Sequence, residues 1–354
     1  MTSSLGPLVR LNGISIQQLP YSGKGVAPSK TISSSEKFSD GSGAVAAPAP
    51  AEFITKVLHE ALPFIDTVAP KAGGVSQWKT KGAPKHYPTS DAPVELYERT
   101  VSAKELSKID GLGKVDRDET WFCRRSVHRD ASEKGTASWD EFMHSFKENH
   151  PDTEMAFTPA VIGAREAIRW EAGAQEVMVE GEKWTGITLV LVEMKHKIEP
   201  KPVKNRTFPV VQLTARLEGE KEFVIVSIPV PDFRKSPYAE YARDKSLVTG
   251  IYASIERVRV LSSGEVEWIM ATASDAKGAL PQWVQKMAVP GAVAKDVDMF
   301  LGWIPKRRSE HQLDAPVTEN GNGNVLDKSL PAAPAAGTES PGNRPPSPIS
   351  KVAH

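Results

Sequence analysis

The chain has 354 residues, of which 40% are hydrophobic and 25% charged, a balance typical of a soluble globular protein with a substantial core. Lys plus Arg and Asp plus Glu both number 44, so the formal net charge is zero and nucleic-acid binding, which favours a basic excess, is not predicted. The single cysteine, Cys123, excludes an intramolecular disulfide, and we interpret it as a buried, inert thiol.

Composition divides the chain into three regions. Residues 1–50 are an N-terminal segment whose second part, 21–50, has the Gly, Ser, Ala and Pro content of a flexible linker. Residues 51–304 carry periodic apolar patterns and are predicted to form one domain, and 305–354 are predicted to be a disordered tail. The start lacks the features of a signal peptide, and no stretch approaches the ~20 apolar residues of a membrane helix, so we predict a cytoplasmic location.

The predicted elements begin with a helix over 51–68, where apolar residues recur at three- and four-residue spacing and Pro63 is expected to kink or end it. Strands are predicted at 94–101 and 119–128, and a capping box at 138–141 begins a short helix that stops before Pro151. Runs rich in Val, Ile, Thr and aromatic residues then predict an antiparallel meander of strands at 184–196, 208–217, 222–229, 248–260 and 265–272.

A last amphipathic helix is predicted over 280–304, kinked at Pro290 and Gly291. A helix, a long antiparallel sheet and a second helix form an α+β plan. Such a sheet, curled around one helix, encloses either a packed core or an apolar pocket for a ligand, and periodicity alone leaves both open.

Two sets of segments resemble known families. Residues 274–283, 288–297 and 300–304 resemble the C-terminal part of START lipid-transfer domains, in which a kinked helix covers a cavity. The blocks 120–128, 135–142, 206–209, 252–257 and 267–275 resemble a fungal START-like family known as a domain of unknown function. The resemblance spans about 51–304. It implies the helix-grip fold, in which a curved antiparallel sheet wraps around a long C-terminal helix, and a lipid-sized pocket, but no particular ligand.

Strand alternation places Trp121 and Arg125 on one face of their strand, and Phe122 and Arg124 on the other. Two interpretations of Arg125 stay open: it forms a structural salt bridge or a solvent-facing charge, or it orients the polar end of a ligand in the cavity. The predicted cavity residues are Trp121, Arg125, Glu193, Arg206, Glu256, Trp268, Met270, Thr272, Trp283 and Met287. Ordinary core packing is the alternative for the aromatic and methionine members.

The motifs of several enzyme classes are absent from the sequence. It has no serine-hydrolase elbow, no Walker loop and no dinucleotide fingerprint, and no cofactor is predicted. The set His128, His144, His150 and Glu154 lacks a recognised metal-ligand spacing, so no metal is predicted and the second and third of these are expected at the surface.

These observations predict non-catalytic binding of a lipid or sterol-like molecule, with transient contact to a membrane, for which the basic residues 306–308 are a weak signal. A cyclase- or dehydratase-like enzyme is one alternative, with acid and base groups drawn from Arg125, His128, Glu193 and Glu256. A regulatory protein with a packed scaffold is another, because the tail contains Ser-Pro pairs at 340–341 and 347–348. The sequence identifies no protein partner and no oligomeric state.

Overall fold

The computed structural model describes residues 6–21, 24–25, 48–68, 76–112, 115–172, 175–199, 203–275, 277 and 282–314, without the side chains of 24–25, 282–288 and 311–314. Its α-helices are α1 (Pro50–Asp66), α2 (Ala103–Leu106), α3 (Trp139–Phe142), α4 (His150–Phe157) and α5 (Gln282–Asp314). Its strands are β1 (Lys24–Gly25), β2 (Lys79–Thr80), β3 (Glu95–Val101), β4 (Glu119–His128), β5 (Val161–Trp170), β6 (Val177–Val179), β7 (Glu182–His196), β8 (Arg206–Leu217), β9 (Glu222–Pro229), β10 (Val248–Thr249), β11 (Ile251–Val260) and β12 (Val266–Asp275).

The strands form one sheet in the order β1-β5-β7-β8-β9-β11-β12-β4-β3-β2, with β6 paired to β7 and β10 to β8. The pairs are antiparallel apart from the two-residue pairing of β10 with β8. Register shifts interrupt the β5–β7 and β7–β8 pairings, and such bulges bend and twist a strand. The result is the predicted α+β helix-grip fold, a curved antiparallel sheet with the long C-terminal helix against one face.

One face of the sheet packs against α1, and we call it the α1 face. Phe53, Val57, Leu58 and Ile65 of this helix are at most 1% exposed, and they share one core cluster with strand residues such as Ile269. The helix does not end at Pro63, contrary to one of the two outcomes that its proline allowed, but continues to Asp66.

The opposite face lies beneath α5, and we call it the α5 face. Val297, Phe300 and Ile304 of α5 are at most 3% exposed and pack against strand residues such as Trp268 and Val258. Arg308 fixes the C-terminal part of this helix. Its guanidinium donates to both carboxylate oxygens of Glu141, at 2.6 and 2.9 Å, and to two backbone carbonyls of the loop before α3.

Several boundaries differ from the sequence-based prediction. Strands β4 and β9 agree at both ends, whereas β5 and α4 were not predicted, because 150–170 mixes polar and apolar residues without clear alternation. The last helix continues past the predicted boundary at 304 to Asp314, since 305–310 still offer contacts such as those of Arg308.

The N-terminal segment also differs from its predicted separation from the domain. Val9 and Ile14 are 1% and 2% exposed within the α1-face core, and Arg10 donates to buried Glu119 at 2.7 Å. The predicted linker lies largely, and the tail from 315 wholly, outside the described residues. Among the described helices, none is long and apolar enough to cross a membrane.

Candidate ligand-binding site

Strand register places two rows of side chains next to each other on the α5 face. One row consists of Phe122, Thr272, Ser254, Ser227 and Gln212, and the next of Arg124, Met270, Glu256, Ile225 and Thr214. Both follow from the period of two in β-strands, which sends alternate side chains to the same face. A band of hydroxyl, amide and charged groups therefore crosses the middle of this face.

An ion pair lies within this band. Arg124 Nη2 donates to Glu256 Oε1 at 3.0 Å, and the indole Nε1 of Trp268 donates to the same oxygen at 2.6 Å. The guanidinium carbon lies 3.8 Å from the centre of the Trp268 ring, a cation–π contact. Arg124 Nε and Nη1 are buried and have no hydrogen-bond partner among the residues that the structure describes, which is costly for donors of a charged group.

Two further carboxyl groups approach this ion pair from the helices. Asp296 Oδ2 of α5 is 3.9 Å from Arg124 Nε. Glu154 of α4, which is 3.6 Å from the ring of His150, is near enough to Asp296 and Glu256 for their charges to raise its pKa. Burial raises the pKa of Asp296 to about 7 and that of Glu154 to about 8, and the charge of Glu256 adds to both shifts. We call Arg124, Glu154, Glu256 and Asp296 the interior polar cluster.

The two helix carboxyls are enclosed by the protein, yet parts of both side chains remain accessible. Burial raises their pKa values strongly, yet 27% of the Glu154 side chain and 24% of the Asp296 side chain remain accessible. Tyr252 and Met270 on the neighbouring strands are also only half buried, and burial raises the pKa of the Tyr252 hydroxyl. We infer that these side chains border space inside the protein, between the sheet, α4 and α5.

Two apolar clusters flank this polar band. One is aromatic and fills the region under the C-terminal half of α5, where the Phe146 ring lies 4.9 Å from Trp268 and 4.8 Å from Phe300. The other lies on β5, β7 and β8 and consists of Val161, Val190, Val192, Met194, Phe208 and Val210. The interior of the α5 face is thus filled at one end and amphipathic in the middle.

The structure brings part of the predicted site together. Glu256, Trp268, Met270 and Thr272 all lie on the α5 face, at or next to the interior polar cluster. Arg206 lies at one end of β8, in register with His196, and its guanidinium donates to the backbone oxygens of residues 204 and 277.

Other predicted residues lie elsewhere. Trp121 is on the α1 face, with its ring 4.9 Å from Phe64. Arg125, also on that face, is paired with Glu95 and Glu267 at 2.8 and 2.7 Å. Glu193 accepts from Arg165 and from the backbone N–H groups of residues 240 and 242.

Alternation separated Arg124 from Arg125 correctly, but only the tertiary packing shows which face lies beneath α5. The side chains of Trp283 and Met287 lie outside the described residues.

Sequence reasoning missed the carboxyls on the helices. Asp296 lies beside the apolar stripe of Val293, Val297 and Phe300. A charged residue that adjoins the apolar face of a helix was therefore a usable signal for this carboxyl. Glu154 had no comparable signal, because α4 itself was not predicted. His150, expected at the surface, has 13% of its side chain accessible, and burial lowers its pKa.

The described residues contain no group of three or more His, Cys, Asp or Glu side chains arranged to hold a metal ion. The interior polar cluster instead combines one guanidinium with three carboxyls. Such a set binds organic polar groups through hydrogen bonds and charge.

A helix lying across one face of a curved antiparallel sheet, with a polar cluster at their interface, defines an α+β protein of the helix-grip type. The chain belongs to the family described as protein of unknown function (DUF3074), whose model matches residues 121–304. This confirms the predicted membership in a family of unknown function.

Comparison with solved structures finds similar chains that include three human proteins. STARD10 is 12% identical, with 72% of this chain and 84% of that chain covered and a TM-score of 0.48. StAR-related lipid transfer protein 5 is also 12% identical, with 73% and 97% covered and a TM-score of 0.47. The lipid transfer and protein localization domain of StarD13 is 11% identical, with 70% and 96% covered and a TM-score of 0.37. No curated protein matches the chain.

Proposed function

We propose that this protein binds one hydrophobic small molecule, a lipid or sterol-like compound, between the α5 face and α5, and that it acts by binding rather than by catalysis. The supporting observation is the interior polar cluster. Within the described part of the chain, Arg124 has two buried donors without partners, next to two enclosed carboxyls that keep accessible surface. A polar group of the ligand satisfies these donors.

The energetics of this binding come from the apolar surroundings. Burial of ligand surface contributes roughly 25 cal/mol per Å², against which the costs of association must be set. The cluster on β5, β7 and β8 supplies an apolar wall on one side of the polar band, and the aromatic cluster closes the other side. Apolar walls with a few convergent polar groups are typical of small-molecule sites.

A cleft of about 190 Å³ lies at the end of β4, β11 and β12, lined by residues including Leu11, Phe122, Ile251 and Val289. Phe122 is two residues from Arg124 on the same face of β4, a separation of about 7 Å along a strand. This cleft is small for a lipid, and we propose it as the entrance to the site.

The first experiment is native mass spectrometry of the purified full-length protein, followed by extraction of bound small molecules and by titration with a fluorescent fatty probe. We expect a co-purified hydrophobic compound and saturable probe binding. A protein that carries no such compound and binds no probe has a packed scaffold, and the proposal is then wrong.

A double variant tests the polar contact. Arg124→Gln with Glu256→Gln removes both charges together, so that no lone charge stays buried, and we expect probe affinity to fall by about tenfold or more. The matched control is Arg125→Gln, because this neighbouring arginine faces the other side of the sheet and should leave affinity unchanged. Equal affinity for the wild type and the double variant would remove Arg124 from the site.

One observation favours a second candidate function. Glu154 and Asp296 have pKa values of about 8 and 7, so both carry protons near neutral pH and meet the requirement for a general acid. The extracted compound, returned to the protein, distinguishes the two functions. Its conversion to a product, lost on Glu154→Gln, would indicate a cyclase- or dehydratase-like enzyme.

A further inference from the structure

We propose that the polar end of the ligand is a protonated amine next to a hydroxyl group, so that the bound class is a long-chain amino alcohol. This inference rests on the ligand site proposed above and specifies its chemistry. The ammonium lies between Glu154 and Asp296, and the hydroxyl oxygen accepts from Arg124.

The amine follows from the shortage of positive charge at the two helix carboxyls, for which the described residues supply only the shared Arg124 and the His150 ring. The only basic group beside Glu154 among the described residues is His150, at 3.6 Å, and burial keeps its ring neutral by lowering its pKa. Arg124 is 3.9 Å from Asp296 but 3.0 Å from Glu256, with which it forms the closer contact.

The titratable groups that face this space include more potential negative charges than positive ones. Among the described residues they include Arg124 and His128 of β4, Tyr252 and Glu256 of β11, His150 and Glu154 of α4, Asp296 of α5, and Tyr87, which lies near Asp296. Burial keeps both histidines and both tyrosines neutral by its effect on their pKa values. Three carboxyls then share one guanidinium, and a ligand ammonium supplies positive charge where attraction is strengthened by the low dielectric.

The hydroxyl follows from a different observation. Arg124 is 2% exposed, and among the described residues its Nε and Nη1 atoms have no hydrogen-bond partner, although Nε lies 3.9 Å from Asp296 Oδ2. A ligand that offered only an ammonium would leave these donors unpaired and would repel them. A hydroxyl oxygen on the carbon adjacent to the one that bears the amine accepts from these donors, while the amine stays at the carboxyls.

A neutral ligand makes a different prediction for pH. If protonated Glu154 and Asp296 donated to a ligand oxygen, raising the pH through their pKa values of about 8 and 7 would weaken binding. An ammonium needs the ionised carboxylates, so its binding releases protons and strengthens as the pH rises through that range. Aliphatic amines remain charged to about pH 10, so the charge of the ligand itself does not change over this pH range.

The experiment titrates the full-length protein with a twelve-carbon amino alcohol, the matching amine and the matching alcohol, by displacement of the fluorescent fatty probe at pH 6.5 and 8. We expect the amino alcohol to bind tightest and the alcohol about tenfold or more weaker at pH 8. Affinity for the two amines should rise about tenfold between these pH values, while that for the alcohol should not rise. Calorimetry in two buffers of different ionisation enthalpy should detect the released proton.

The variants Glu154→Gln and Asp296→Asn should each weaken amine binding about tenfold and leave alcohol binding unchanged. The control Glu148→Gln removes an exposed carboxylate near α4, with 58% of its side chain accessible. It should change neither the affinity for the amine nor that for the alcohol. Equal binding of amine and alcohol, without proton release, would overturn the inference but keep the proposed function. Failure of all three compounds and of the fatty probe to bind would overturn both.

Discussion

The two faces of the sheet each bury an arginine with unpaired donors, yet their surroundings differ. On the α1 face, Arg257 is paired with Asp66 of α1, whose side chain is 38% accessible at the end of a fully packed helix. On the α5 face, Arg124 is paired with Glu256, and the neighbouring carboxyls of Asp296 and Glu154 are enclosed.

This difference teaches that a buried guanidinium alone does not identify a site. The helix on the α1 face fills its space with apolar side chains. The carboxylate hydrogen-bonded to Arg257 reaches solvent, and a second carboxylate, that of Glu222, lies 3.9 Å from this arginine. The α5 face places several carboxyls inside, where each costs free energy unless a partner arrives. The residues of the α1 face serve stability, and we propose that the carboxyls of the α5 face serve ligand binding.

The largest expected effect comes from truncating one apolar side chain on each face. Leu58→Ala removes a fully buried side chain of α1 and should cost about 2–5 kcal/mol of unfolding free energy, because it leaves a cavity in a packed core. Met270→Ala on the α5 face should cost only roughly 1 kcal/mol, because that side chain is half buried and borders open space. Urea denaturation of the ligand-free protein measures both, and equal losses would mean that the two faces are equally packed.

The next effect is the pH dependence of stability. Glu154 and Asp296 have pKa values of about 8 and 7 in the folded protein, so they keep protons there that the unfolded chain has already lost. The unfolding free energy should therefore fall as the pH rises from 6.5 to 8. The slope is at most about 1.4 kcal/mol per pH unit for each proton. Buried His128, with a pKa of about 4, acts in the opposite direction and only below its unfolded value of 6.5.

Urea midpoints at pH 6.5 and 8 test this expectation. The variant with both Glu154→Gln and Asp296→Asn should flatten the dependence, whereas Glu148→Gln should preserve it. A wild-type protein that becomes more stable across this interval would contradict the enclosure of the two carboxyls.

The smallest effect concerns the contacts that hold α5 over its face. Arg308→Ala removes charge-assisted hydrogen bonds to Glu141 and to two backbone oxygens, and it should lower the unfolding free energy by about 1–2 kcal/mol. Arg307→Ala is the matched control, since its 3.8 Å contact with Glu310 is exposed and should contribute less than ~0.5 kcal/mol. Equal changes in the urea midpoint would show that Arg308 does not fix the helix.

Much of the fold could be predicted from local pattern. The alternation of β4 and the Val- and Ile-rich run of β9 gave both strands their observed ends, because these segments have one dominant period. The helix that begins at the capping box was predicted, but its π-helical form over 143–148 and the short α4 were not, because the apolar residues there do not keep a regular helical spacing. The packing of 6–21 escaped as well, since single residues such as Val9 are buried by distant elements.

By itself, the sequence determined the strand periods, the amphipathic last helix and the separation of Arg124 and Arg125 onto opposite faces, because these follow from the geometry of one chain segment. Only the tertiary structure decided which arginine lies beneath α5 and that carboxyls from α4 and α5 approach it. Contacts between segments more than a hundred residues apart depend on how curved sheet and helices pack, and no local spacing encodes that.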